Sequence, residues 1–426
     1  MSDSVLVSFP HIADPRARPR EPAGELLLRG ATNRAAQRVD VLLGGGRVVE
    51  VAPPGGLTRV PAGVSQEIDL DGYVLLPGVA EPHAHLDHAL TWELLNTGYV
   101  ELPQAIAAWA EATRTLDAGE TRDRILRALE EYLAHGVTAV RSHSVPCLGD
   151  RPLAALAAWQ GVRKAVAGVM DLQVVFMSRI DTPSDLIRAA VDAGADLIGG
   201  VPYMTADPAA ENERLLSLAA ELRVGVDLHV DEELDASVAS LEDLATRVAA
   251  RGLPQRVTAS HCVSLGIQDP GQAARTITRV AEAGLGVVTL PYTNLYLMGR
   301  AAQTSPPRAL TALRPLLAAG VPVAGGGDNL RDPFNPVGRA DPLVVAALLV
   351  SAGHLTIAEA YDAVSVQARR VLGLPSADVV AGAVADLLAV RAKSLDDAVA
   401  RSPEDRIVIR AGRVVACSRT VRRTAL

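Results

Sequence analysis

The run Glu81-Pro-His-Ala-His-Leu-Asp-His is the first stretch of the chain whose residue types could do chemistry. On an extended segment His83 and His85 point the same way, because strand side chains alternate faces with a period of two. Two imidazoles side by side form half of a metal site. Further on, Val226-Asp-Leu-His-Val-Asp-Glu offers His229 and, three residues later, Glu232. Thr258-Ala-Ser-His-Cys offers His261, and Gly325-Gly-Gly-Asp-Asn offers Asp328. Singly, each has a plain structural alternative: a satisfied core histidine, a carboxylate at a helix N-terminus, a helix cap. Together, imidazoles and a carboxylate suit Zn2+ or Fe2+ and leave a position open for water. A metal there lowers the pKa of water towards about 7 and yields hydroxide at neutral pH. Glu232 is then the expected proton carrier to a leaving nitrogen. His261 is expected to hydrogen-bond the attacking oxygen or the substrate, and Asp328 to ligate and to help deprotonate the water.

These residues act together only if the elements that carry them converge. Apolar β-type runs occur at Tyr73–Pro77, Thr138–Arg141, Leu172–Met177, Leu197–Val201, Val224–Val230, Arg256–Ala259, Gly286–Leu290 and Val321–Ala324. Between most of them lie stretches with helical periodicity, such as Glu120–Ala134, Ser184–Ala193, Asn212–Leu222 and Asp243–Arg251. Eight strands separated by helices predict an α/β chain with a (β/α)8 TIM-like barrel, an open parallel sheet being the alternative. In a barrel, strand ends meet on the C-terminal face, where active sites are built. Short β runs at both chain ends predict a small composite β-sandwich domain. The expected division is 1–76 and 376–426 for its two parts, with the barrel over 77–375.

Composition sets limits. The 426 residues carry a net charge of −8 with 3% aromatics, which argues against nucleic acid as a partner. No apolar run approaches the ~20 residues that span a bilayer, so no membrane partner is expected. Three prolines break Met1–Arg20, against a leader peptide, and three cysteines without CxxC spacing indicate neither a disulfide framework nor a thiolate zinc site. The expected location is the cytoplasm and the expected partner a small molecule; a homo-oligomer fits the general prior for soluble enzymes. Gly325–Gly327 does not match a phosphate-binding loop, and Asp328 directly after it would repel phosphate.

The set of strand-one His-X-His, strand-five His, strand-six His and strand-eight Asp resembles the amidohydrolase superfamily over nearly the whole chain. Glu81-Pro-His-Ala-His-Leu-Asp, His229-Val-Asp-Glu232, Thr258-Ala-Ser-His-Cys, Asn294-Leu-Tyr-Leu-Met-Gly-Arg and Gly327-Asp-Asn-Leu-Arg-Asp-Pro-Phe-Asn-Pro-Val-Gly are similar to bacterial cytosine deaminases. The resemblance implies that His83, His85, His229 and Asp328 hold one divalent ion, Zn2+ or Fe2+. It also implies that Glu232 shuttles protons and that His261 assists the hydroxide. Binuclear relatives bridge two metals with a modified lysine after strand four. Here that region reads Gly199-Gly-Val-Pro-Tyr-Met and the two lysines, Lys164 and Lys393, lie elsewhere, so one metal is expected.

Departures from the cytosine pattern bear on the substrate. Where those enzymes place a base-reading glutamine, this chain has Arg179, and where they have a second aspartate it has Asn329. Tyr203 and Phe334 stand where they have His and Trp. Glutamine donates and accepts, whereas arginine only donates, through a fixed fork. Both changes favour an acceptor-rich or anionic ring over cytosine, a structural ion pair being the alternative for Arg179. The expected activity is therefore ammonia release from a small nitrogen heterocycle other than cytosine, with metal-bound hydroxide attacking the amino carbon. The alternative is removal of an alkylamine from a triazine-like ring, or opening of a cyclic amide. Trp92, Tyr203, Phe334, Arg179 and Asn329 are expected to bind substrate, with Tyr292 and Asn294 as further pocket candidates. His88, His135, His143 and His354 are assigned no catalytic role.

Overall fold

The computed structural model describes residues 24–58, 66–253, 255–421 and 424. The proline-broken run Met1–Arg20 lies outside them. Eight parallel strands follow one another around a barrel: Val79–Ala84, Val137–Ser144, Asp171–Met177, Leu197–Gly200, Gly225–Val230, Val257–His261, Gly286–Thr289 and Val323–Gly325. The ring is closed by the backbone just past the eighth strand, where Asp328 bridges Ala84 and its N–H donates to His83 O at 3.1 Å. The closure is thus made by residues that also belong to the chemical cluster.

Seven of the eight expected strands lie where the pattern put them. The first does not: Val74–Pro77 belongs to the terminal sheet, and the first barrel strand is Val79–Ala84. The reason is burial on both faces. Tyr73 and Leu75 face the core of the terminal sheet, while Val74 and Leu76 alternate onto the barrel side. A strand covered on both faces is continuously apolar, the pattern also expected of a barrel strand. Gly78 lets the chain pass between the two sheets; its N–H donates to Asp386 O at 2.9 Å, and a Cβ would stand 2.6 Å from that oxygen.

The two chain ends make one eight-stranded sheet. Its order runs Arg413–Ser418, Arg406–Arg410, Leu387–Val390, Val74–Pro77, Leu26–Thr32, Arg38–Gly44, Arg47–Ala52, with Gln66–Asp69 also paired to Leu26–Thr32. The ends meet where Val74–Pro77 pairs antiparallel with Leu387–Val390. The same alternation recurs there, Leu387 and Ala389 facing the sheet's own core, Leu388 and Val390 the barrel. Among the described residues no helix is long and apolar enough to cross a membrane.

Charged pairs fix the two bodies together. Arg406, on the terminal sheet, forks onto Asp341 at 2.9 and 2.7 Å, and both side chains are fully buried. Asp341 also caps the apolar helix Pro342–Ser351 through Leu343 N. Removing one partner of a buried pair leaves the other charge uncompensated. Asp341→Ala should therefore lower unfolding free energy by about 3–5 kcal/mol, read from urea denaturation, whereas a change under 1 kcal/mol would show the pair to be dispensable.

Candidate metal centre and active site

Strand ends deliver the side chains. His83 is the penultimate residue of the first strand and His85 follows it, both turned into the barrel mouth. His229 lies on the fifth strand, beside Ser260 of the sixth. His261 ends the sixth strand with φ +70°, and Asp328 follows the eighth with φ +65°. Such left-handed backbone is uncommon for residues with a Cβ and persists where surrounding structure enforces it. Asp231, at φ +48°, fastens the loop that presents Glu232 by accepting from Ser240 N and Oγ and from Leu241 N.

Four ligand-type atoms converge. His83 Nε2 stands 3.3 Å from His85 Nε2, which stands 3.2 Å from His229 Nε2. Asp328 Oδ1 is 3.4 Å from His85 Nε2 and 3.8 Å from His83 Nε2, and has no hydrogen-bond partner among the described residues. Ligand distances of about 2.0–2.1 Å set the corners of a tetrahedral zinc site about 3.3–3.4 Å apart, so this spacing fits a single ion. Burial, reinforced by the neighbouring imidazoles, drives the His83, His85 and His229 pKa values well below the usual histidine range, the neutral form a metal requires. Burial and the carboxylates of Glu232, Asp332 and Glu81 push Asp328 the other way, far above the carboxylate range. A cation among them would keep the imidazoles neutral and restore the ionised form of Asp328.

Support for this cluster comes from beneath. His83 Nδ1 donates to Ser260 Oγ at 2.9 Å, and Ser260 donates to Asp227 Oδ1 at 2.8 Å. Asp227 Oδ2 takes Arg141 Nη1 at 2.7 Å. The chain fixes the His83 tautomer and turns its Nε2 lone pair to the site. Asp227 sits two residues before His229, so the period-two alternation places both inward; that signal was present in the sequence. Asp227, His83 and His143 could form a second cluster, but Asp227 already holds a guanidinium and a hydroxyl. Glu81 is occupied by structure: it accepts from His83 N and Gly327 N, and a Cβ at Gly326 would meet it at 2.7 Å. The glycine run is therefore room for a buried carboxyl, not a phosphate loop.

Glu232 and His261 face each other, with Glu232 Oε1 at 3.3 Å from His261 Nδ1. His261 Nδ1 also lies 3.2 Å from Asn294 Oδ1, and Tyr203 OH donates to Glu232 Oε2 at 3.2 Å. Desolvation raises the Glu232 pKa to about 8 and lowers that of His261 to about 3. His261 is thus a neutral ring whose Nδ1 carries the proton, which leaves Nε2 as a free acceptor.

Glu232, His261 and Asp328 line a cavity of about 200 Å³ together with Arg179, Asn329 and Phe334. Tyr203 also lines it. Trp92 is not brought there; its ring packs against Tyr99, at 5.8 Å, and Trp109 of the helix Leu102–Ala112 takes the place in the wall. His88, assigned no catalytic role from sequence, lines the cavity as well.

A model of the Amidohydrolase family matches residues 97–416. The chain belongs to the amidohydrolase family. Among curated relatives, a pterin deaminase from Rhizobium rhizogenes (strain K84 / ATCC BAA-868) is 33% identical over 399 residues, covering 91% of this chain and 90% of its own. Among solved structures, 5-methylcytosine deaminase from Klebsiella pneumoniae, liganded with 5-fluorocytosine, matches with a TM-score of 0.84 and 26% identity, covering 93% of this chain and 99% of its own. N-isopropylammelide isopropylaminohydrolase from Burkholderia multivorans ATCC 17616 matches with a TM-score of 0.77 and 27% identity, at 93% and 99% coverage. As an amidohydrolase the chain is metal-dependent, and the histidine–aspartate cluster is where its metal could sit.

Ser260 offers the cleanest test of that cluster, because it touches His83 only on the side away from the ligand atoms. Ser260→Ala should weaken Zn2+ binding by about 10–100-fold in chelator competition. Unchanged affinity would mean that the Asp227–Ser260 chain does not tune this site.

Proposed function

We propose that this amidohydrolase is a deaminase of a small oxo-substituted nitrogen heterocycle of the pterin kind, holding one Zn2+ or Fe2+ through His83, His85, His229 and Asp328. The observation that carries the substrate reading is Arg179. It lines the same cavity as Glu232 and Asp328, and its guanidinium has no hydrogen-bond or ion-pair partner among the described residues. Burial without a partner pulls its pKa below the usual arginine value. A desolvated fork of donors awaits acceptors, which the oxo group and adjacent ring nitrogen of an amino-oxo heterocycle supply. The pterin deaminase relative supports the same class.

A bound divalent cation supplies the Lewis acidity that makes water a nucleophile near neutral pH. His261 Nε2 accepts a hydrogen bond from the attacking water and so holds its oxygen in place. Glu232 takes the water's proton and passes it to the exocyclic nitrogen, where its raised pKa suits both halves of the transfer. Tyr203 keeps Glu232 from swinging away. The C–N bond breaks with its electron pair leaving on ammonia, the added hydroxyl becomes C=O, and the proton it gives up ends on the ring nitrogen that took the C=N electron pair. The enzyme's three cysteines are unpaired, which supports a reducing cytoplasmic setting.

A second reading is favoured by the isopropylaminohydrolase neighbour and by the apolar wall of Leu102, Ile106, Met177 and Ile180, which could seat an alkyl group. There the leaving group would be an alkylamine on a triazine-like ring.

The test is product analysis with pterin, cytosine and an N-isopropyl oxotriazine. The expected result is ammonia from pterin, little from cytosine, and no isopropylamine; isopropylamine alone would establish the second reading instead. Glu232→Gln should lower kcat by about 10²–10⁴-fold while metal content stays at the wild-type level. Arg179→Gln should raise KM for pterin about tenfold, the size expected from losing a charged hydrogen bond.

A further inference from the structure

Neighbouring strands of the barrel pair through backbone ladders all round the ring except at one seam. Between the eighth strand, Val323–Gly325, and the first, Val79–Ala84, no ladder forms among the described residues. The two sides of this seam carry different members of the cluster, His83 and His85 on one and Asp328 on the other. Backbone crosses it at Asp328, whose N–H donates to His83 O at 3.1 Å.

A buried side chain spans the seam beneath that bond. Glu81 Oε1 accepts from His83 N at 3.1 Å, and Oε2 accepts from Gly327 N at 2.9 Å. One carboxyl thus holds the amide of a histidine in the cluster and the amide immediately before its aspartate. The Tyr132 hydroxyl, on the helix Ala118–Ala134, donates to the same group. Carboxyl oxygens keep acceptor capacity whether or not the group is ionised, so the clamp does not depend on its charge.

The glycines beside it are shaped to this carboxyl. Neither Gly326 nor Gly327 has a left-handed backbone, so no turn demands glycine there. The demand is for space: a Cβ on Gly326 would stand 2.7 Å from Glu81 Oε1, and one on Gly327 3.0 Å from Oε2. Glycine also leaves the chain freer than any other residue. Asp328 follows directly in the left-handed conformation that is uncommon for a residue with a Cβ. A permissive stretch leading into a strained one needs a hold from outside, and the Glu81 carboxyl provides it.

Resting on the ligand set proposed above, we propose that Glu81 is a positioning residue that clamps the barrel seam and sets Asp328 at its distance from the histidine ligands, without itself ligating the ion. A group that merely filled the seam would contribute stability alone. A clamp also sets the coordination geometry of whatever ion is bound.

The test compares wild type, Glu81→Gln and Asp328→Ala as full chains in native buffer without denaturant. Glutamine keeps the volume, but its amide nitrogen cannot accept, so one of the two N–H groups loses its partner. Zn2+ affinity by chelator competition should fall about 10–100-fold in Glu81→Gln. With Co2+ in place of Zn2+, the visible absorption of Glu81→Gln should move towards that of Asp328→Ala, in which the carboxylate ligand is gone. Unchanged affinity, or weaker affinity with an unmoved Co2+ spectrum, would overturn the clamp and leave the ligand set standing. A Co2+ spectrum of Asp328→Ala identical to wild type would overturn the ligand set, and this proposal with it. Should Glu81→Gln not fold, Gly327→Ala makes the same test, because its methyl presses on Oε2 while the next contacts, Arg339 O and Tyr132 OH, are 3.4 Å away. Zn2+ affinity should then fall in the same direction, and an unchanged value contradicts the clamp. Neither readout needs turnover, so both decide the role of Glu81 even if pterin is not deaminated.

Discussion

Everything at the barrel mouth follows from one crowding. Three imidazole nitrogens and one carboxylate oxygen are held 3.2–3.8 Å apart in a place closed to solvent. Lone pairs cannot be packed that way on their own account. The His83–Ser260–Asp227–Arg141 chain turns one of them inward, the closing bridge from Asp328 to Ala84 delivers the carboxylate, and left-handed backbone at Asp328 sets its direction. A divalent cation there would resolve the repulsion, and the fold is the apparatus that assembles the need for it.

Around that point the site divides by electrostatics. Glu232 and His261 are buried to the same degree, yet burial moves them in opposite senses, keeping the carboxyl able to hold a proton and the imidazole neutral. Tyr203 and Asn294 fix which atom of each faces inward. Beyond them the cavity is largely apolar, and Arg179, Asn329 and His88 are among the few polar side chains that line it.

Much of this was legible in the sequence because it depends on local spacing. His83 and His85 declare a shared face through period two, and seven strands announce themselves as apolar runs between amphipathic helices. What was not legible depends on contacts across long separations. Tyr73–Pro77 reads like a barrel strand because only its partner Leu387–Val390, some 310 residues away, reveals that it belongs to the terminal sheet. Trp92 and Trp109 both precede the long helix Ala118–Ala134, and only the packing of the helix Leu102–Ala112 brings Trp109 rather than Trp92 to the cavity. Nothing local in the sequence pairs Asp332 with His88, 244 positions earlier, yet their side chains meet at 3.0 Å. The Arg179 departure could be read as selecting acceptors, but that no carboxylate among the described residues meets it is a fact of three-dimensional packing.

The central claim is that this barrel holds one divalent ion between His83, His85, His229 and Asp328. The direct measurement is elemental analysis of the purified chain combined with anomalous scattering from its crystals at the metal's absorption edge. The account predicts one zinc or iron per chain, with a single anomalous peak bounded by those four side chains. Two peaks, or one centred on His143 and Asp227, would contradict it.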